Sequence, residues 1–142
     1  MATRTEDPTL DLRRKRRRAL VAQIVDASEH LPEQERQLLL AVYGRGMRVS
    51  EVAVMLGVPE RRLRRRVRAL LKRVTDPAFA AVVRHGSSWP RQLHAVARLA
   101  VIEGLPMRVI ASRLGLSYHQ VRQHCATMHT LVAALPGRET AA

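Results

Sequence analysis

The sequence repeats itself without a gap. At an offset of 58 residues, the separation of Gly46 from Gly104, Pro32 meets Pro90, Gln34 meets Gln92 and Ala53 meets Ala111. Leu56-Gly57 falls on Leu114-Gly115, Arg64 on Arg122 and Val74 on Val132. The apolar spacing repeats as well, with Val121, Cys125, Met128 and Val132 in the places of Leu63, Val67, Leu70 and Val74. Both sets recur at i, i+4, i+7 and i+11, the interval that lines one side of an α-helix. Two copies are too few for a stacked repeat array, which needs at least three. The pattern predicts a duplicated three-helix unit.

The rest of the chain reads as helix. Apolar residues make up 46% of it, with one Trp, one Phe and two Tyr, so its core is aliphatic. Ala, Leu, Val and Arg dominate, a helix-forming palette. Residues 1–8 are polar and expected to be mobile. A first helix is expected from about Asp11 to Glu29, with Leu12, Leu20, Ile24 and Ala27 on one face. A second starts at Pro32, carries Leu38 to Tyr43, and stops at Gly44-Arg45-Gly46. A short third runs from about Val49 to Leu56, and a fourth from about Pro59 to Val74. Thr75-Asp76-Pro77 closes that one and opens a short helix through Val83, with Ser87-Ser88 as a brief linker. The expected fold class is all-α: two tandem helix-turn-helix three-helix units preceded by an N-terminal amphipathic helix. The expected division is a basic N-terminal segment over 1–30, unit one over 31–75, a connecting helix and linker over 76–88, unit two over 89–135, and a tail over 136–142.

Charge narrows the partners. Twenty-five Lys and Arg against twelve Asp and Glu give a net charge of +13, with only Lys15 and Lys72 as lysines. Such an excess attracts polyanions, and the preference for Arg tilts toward nucleic acid, because the guanidinium pairs bidentately with phosphate and with guanine edges. No apolar run approaches the roughly 20 residues that a transmembrane helix needs. Arg13 to Arg18 occupy the place of a signal-peptide core, and the single Cys allows no internal disulfide, so a cytoplasmic location without membrane contact is expected. Acids are sparse, and no glycine-rich phosphate loop, zinc-ligand cluster or base with a plausible partner is evident, so neither an enzyme nor a cofactor is expected.

Each copy contains the same corner: a short helix bearing Ala53 or Ala111, then Gly57 or Gly115, then a longer amphipathic helix. The small alanine lets two helices approach steeply, the glycine accepts the left-handed backbone of the turn, and Val58 or Leu116 fills the angle. Ser117 with Gln120 forms a capping-box signature. In units of this kind the second helix enters the DNA major groove, its N-terminal residues on the base edges.

Residues 31–74 (LPEQERQLLLAVYGRGMRVSEVAVMLGVPERRLRRRVRALLKRV) resemble region 4 of bacterial sigma-70-type factors, and the LuxR-type helix-turn-helix is similar. Residues 89–132 resemble the same unit more weakly. The resemblance implies recognition of a −35-type promoter element by the helix around Glu60 to Arg68, and contact with RNA polymerase. Nothing here resembles sigma region 2, which melts the promoter, and there is no room for the receiver or ligand-sensing domain of a LuxR-type regulator.

The two longer helices differ. Arg61, Arg65, Arg68 and Lys72 lie opposite the first apolar stripe, whereas the second has His119, Gln123, Ala126 and Thr130 there. The DNA-binding candidates are Arg61, Arg62, Arg64, Arg65 and Arg68 in the first copy, and Tyr118, His119, Gln120, Arg122 and Gln123 in the second. The first set suits a phosphate clamp, and the second offers base-edge donors and acceptors. The expected partner is double-stranded DNA; RNA polymerase and a second copy of the chain are further candidates. The favoured function is sequence-specific transcriptional regulation. The alternatives are a polymerase- or sigma-binding adaptor and a nonspecific nucleoid or RNA-binding protein. Arg13 to Arg18 read equally as a DNA-backbone arm or as the exposed side of a helix. Cys125 and His129 share a face, but Cys125 aligns with Val67 and reads as core, so no metal site is expected. Trp89 aligns with Leu31 and reads as core at a helix start.

Overall fold

Proline and glycine punctuate the chain at the places where its helices begin and turn. The computed structural model describes residues 7–136, and every regular element in it is helical. Helix α1 spans Pro8–Ser28, its Asp7 cap accepting from the Thr9 backbone N–H at 3.0 Å. The Thr9 hydroxyl and N–H together hold the Asp7 carboxyl below its ordinary pKa. Helix α2, Glu33–Leu39, widens into a π turn over Leu40–Gly44. Next come α3 (Val49–Leu56) and α4 (Glu60–Thr75). Helix α5 covers Pro77–His85 and ends in a 3₁₀ turn, Gly86–Ser88. Helix α6, Arg91–Ala97, again widens into a π turn, Arg98–Ile102, before α7 (Met107–Leu114) and α8 (Tyr118–Ala134). The expectations for residues 1–6 and for the tail from 137 onward lie outside the described residues.

The 58-residue repeat is a repeat of backbone as well as of letters. Arg45 N–H bonds Leu40 O at 2.8 Å, as Glu103 N–H bonds Arg98 O at 3.1 Å, and each closes a π turn. Met47 N–H reaches Ala41 O, as Leu105 N–H reaches Leu99 O, the long bond that finishes a helix past a left-handed residue. That residue is Gly46 in one copy and Gly104 in the other, each with φ of 66°.

Two expectations need correction. Helix α1 begins three residues earlier than the apolar spacing indicates, and it lacks the apolar face assigned to it. Leu12 and Leu20 are 53% and 46% exposed, and only Ile24 and Ser28 are buried. The amphipathic pattern fails because the helix is left uncovered before its last two turns; every residue from 12 to 20 is exposed. The Ser87-Ser88 step is also not a spacer. It is a 3₁₀ turn, pinned by Ser88 Oγ to His85 O at 2.6 Å and by Trp89 N–H to Gly86 O at 3.1 Å. Trp89 itself is half-buried against the core.

The short helix between the copies is structural. In the 58-residue register α5 matches the end of α1: Ile24 and Val82 are both buried, and the small Ser28 and Gly86 are buried where the chain turns away. Ala78, Phe79, Ala81 and Val82 carry α5 into a core that runs from Ile24 and Leu39 through Leu63 and Leu70 to Met128 and Val132. A smaller cluster of Val96, Ile110, Ala111, Val121 and Cys125 fills the second copy alone.

Arg73, in the last turn of α4, also joins the copies. Its guanidinium pairs with Glu35 of α2, and it lies against the Gly104 turn. A Cβ on Gly104 would stand 2.9 Å from the guanidinium carbon, whereas a Cβ on Gly46 would meet nothing within 4 Å. Both glycines carry the same left-handed strain, about 1–2 kcal/mol once a side chain is added. Gly104→Ala should therefore cost about 1 kcal/mol more than Gly46→Ala in denaturant unfolding. That excess should vanish in an Arg73→Ala background; equal costs would mean that Arg73 yields freely.

Candidate nucleic-acid interface

The orientation of α4 is set by its apolar side. Leu63, Val67, Leu70 and Val74 are 2–5% exposed, so the helix has one way to face inward. Arg61, Arg62, Arg64, Arg65, Arg66, Arg68 and Lys72 are then all exposed. Glu60, Arg61, Arg64, Arg65 and Arg68 line an open, shallow depression. Glu60 pairs with Arg64 one turn on. Among the described residues no carboxylate pairs with Arg61, Arg62, Arg65, Arg66 or Arg68. An exposed i,i+4 pair contributes little stability, so Arg64 can exchange Glu60 for a phosphate at small cost.

The corner before α4 has the expected parts. Ala53 is buried, Gly57 has φ of 65°, and Val58 N–H bonds Ala53 O at 3.1 Å. The corner before α8 matches it, with Gly115 at 66° and Leu116 N–H on Ala111 O at 2.9 Å. Left-handed φ at both turns is what requires glycine there.

The entry to α8 differs from that to α4. Ser117 Oγ accepts from Gln120 N–H at 3.1 Å, and Gln120 Oε1 accepts from Ser117 N–H at 2.9 Å, completing the capping box. Gln120 thus commits one lone pair of its Oε1 to the helix start, which orients its amide, and keeps its amide donors free for a ligand. Tyr118, His119, Arg122 and Gln123 are exposed. His124, half-buried, bonds Gln92 of α6 at 3.0 Å. Val121, Cys125, Met128 and Val132 are buried opposite them. The structure thus presents both candidate sets outward, each on its own helix.

Sequence reasoning passed over two features. Arg66 is exposed like its neighbours, though it does not line the depression formed by Arg61, Arg64, Arg65 and Arg68. Val54, Met55 and Leu56, at the end of α3, are 82%, 73% and 57% exposed. The available signal was an apolar run too long for a helix that buries only one side, here through Val52 and Ala53. In the second copy the run is broken by Ser112 and Arg113.

Among the described residues, no three His, Cys, Asp or Glu side chains come together as metal ligands, and no helix is long and apolar enough to cross a membrane. Cys125 is a free, buried thiol whose burial raises its pKa.

Comparison with known proteins places part of the chain. Residues 21–74 match the family model for sigma-70 region 4, a DNA-binding helix-turn-helix domain without enzymatic activity. No curated protein and no solved structure matched. The matched span runs from the packed end of α1 to the last buried residue of α4, so it takes in the first copy of the repeat.

Because a raised pKa leaves less thiolate at neutral pH, Cys125 should resist alkylation in the folded chain and react promptly once urea unfolds it. Equal rates in the two states, followed by mass spectrometry, would mean that this part of the second copy opens readily.

Proposed function

We propose that the protein is a sequence-specific DNA-binding transcriptional regulator that sets α4, and with it α8, into the major groove of duplex DNA. The observation that carries this reading is the outward cationic face of α4, fixed by a fully buried opposite side, within a segment matching sigma-70 region 4. In such corners the second helix inserts into the groove while the first crosses the backbone. The functional units in this reading are 31–75 and 89–135, each completed by the helix before it, α1 or α5.

The two helices divide the work. Arg61, Arg62, Arg64, Arg65 and Arg68 clamp phosphates and can reach guanine edges. Tyr118, His119, Arg122 and Gln123, with the Gln120 amide donors, read edges with little net charge. The protein performs no catalysis and needs no cofactor.

A second reading, an adaptor that binds RNA polymerase or a sigma factor, is favoured by one observation, the exposed Val54, Met55 and Leu56 on α3. Contiguous apolar exposure of this kind marks protein contacts more often than DNA contacts.

A salt titration on an in vitro-selected duplex and on its scrambled counterpart tests both. Arg61→Ala with Arg65→Ala should weaken binding to both duplexes alike and flatten the log–log salt slope by about 2, roughly 0.9 per lost phosphate contact. His119→Ala with Gln123→Ala should lower the preference for the selected duplex by about tenfold or more while leaving that slope nearly unchanged. Equal affinity of the unaltered chain for both duplexes would remove the specific-regulator reading. Polymerase binding lost on Val54→Ser with Met55→Ser, with no duplex bound, would favour the adaptor.

A further inference from the structure

Helix α1 is longer than its counterpart by a part whose side chains are almost all exposed. In the 58-residue register α5 starts at Pro77, which falls on Ala19, so Pro8 to Arg18 have no equivalent in the second copy. This extension holds Arg13, Arg14, Lys15, Arg16, Arg17 and Arg18 in one unbroken run. All six are exposed, and among the described residues no carboxylate forms an ion pair with any of them. At about 100° per residue they encircle the helix and leave no gap wider than about 100°. Like charges three and four apart repel, and no apolar contact here offsets that repulsion.

From this we propose that the α1 extension is a second nucleic-acid contact, separate from α4 and α8, that lies in a groove of duplex DNA and takes phosphates from both strands. The contact rests on the duplex-binding reading given above. Cations on every side distinguish a groove from a plane. A flat anionic bilayer would engage only the half of the ring that faces it. It would also call for an apolar stripe, yet Leu10 and Leu12 fall on nearly opposite sides of the helix. A second copy of the helix would meet the same charge and no seam of apolar residues. The major groove, about 12 Å wide, admits a helix and flanks it with two rows of phosphate.

The test uses the full chain with all six residues changed to Gln, which keeps helix propensity, and a second variant with only Arg16, Arg17 and Arg18 changed. Binding is measured across a salt series on a selected duplex, on a mixed-sequence duplex, and on phosphatidylserine–phosphatidylcholine vesicles. Thermal stability should not fall, because all six side chains are exposed and their loss relieves mutual repulsion. The six-residue variant should flatten the salt slope by about 3–5 on both duplexes, with the three-residue variant about halfway and the preference ratio retained. An unchanged slope in a chain that still binds duplex would overturn this contact alone. Failure of the unaltered chain to bind any duplex would overturn the duplex-binding reading itself. Tighter binding of the unaltered chain to vesicles than to duplex, lost in the six-residue variant, would assign the extension to a membrane surface and overturn the proposal.

Discussion

A helix crowded with arginine can present an ordered face only if something stops it from turning about its own axis. In α4 that constraint is the line of Leu63, Val67, Leu70 and Val74, all buried. Rotating the helix by one residue would bring apolar side chains into water, each at about 1.5–3 kcal/mol. Repulsion among the cations of α4, a few tenths of a kcal/mol per pair, is the same whichever way the helix is turned and so cannot select its orientation. The outward display of charge is thus a consequence of apolar packing. Helix α8 shows the same rule with different letters, since it has the same buried line while its outer face carries little charge.

Apolar packing also decides how the duplication is used. Had each copy kept its own core, the chain would be two small modules on a string. Phe79 and its neighbours on α5, with Met128 and Val132 from the end of α8, instead join the core of the first copy. Arg73 adds a polar tie across the same junction through Glu35 and the Gly104 turn. The second copy retains a private cluster around Ile110 and Val121 near its own corner. The C-terminal parts of α4 and α8 therefore belong to one core, bridged by α5, while their N-terminal ends stay exposed.

The parts of this arrangement that were legible in the sequence are those set by local chemistry. The left-handed glycines of the two corners, Gly57 and Gly115, the capping box of Ser117 and Gln120, and both buried stripes follow from residue type and spacing, and they appear where expected. Exposure of the candidate residues followed in turn, because it is the complement of the stripe. What depends on distant packing was not legible. Spacing alone gave α1 an apolar face, but a face is buried only where a partner covers it, and Leu12 and Leu20 stay about half exposed. The π turns at Leu40–Gly44 and Arg98–Ile102 left no mark in the helical period, since one widened turn hardly disturbs it. The pairing of Arg73 with Glu35, 38 positions apart, had no local signature at all.

The 3₁₀ turn at Gly86–Ser88 looks on paper like the seam of an ancestral gene fusion, the natural place to separate the two copies. With Phe79 on one side of it and Met128 on the other drawn into one apolar body, a cut there would leave two raw hydrophobic surfaces. The turns of the two copies still follow one backbone path, with Gly46 matched by Gly104 and Gly57 by Gly115. With their interiors merged, neither copy could be excised without stripping the apolar lining from the other.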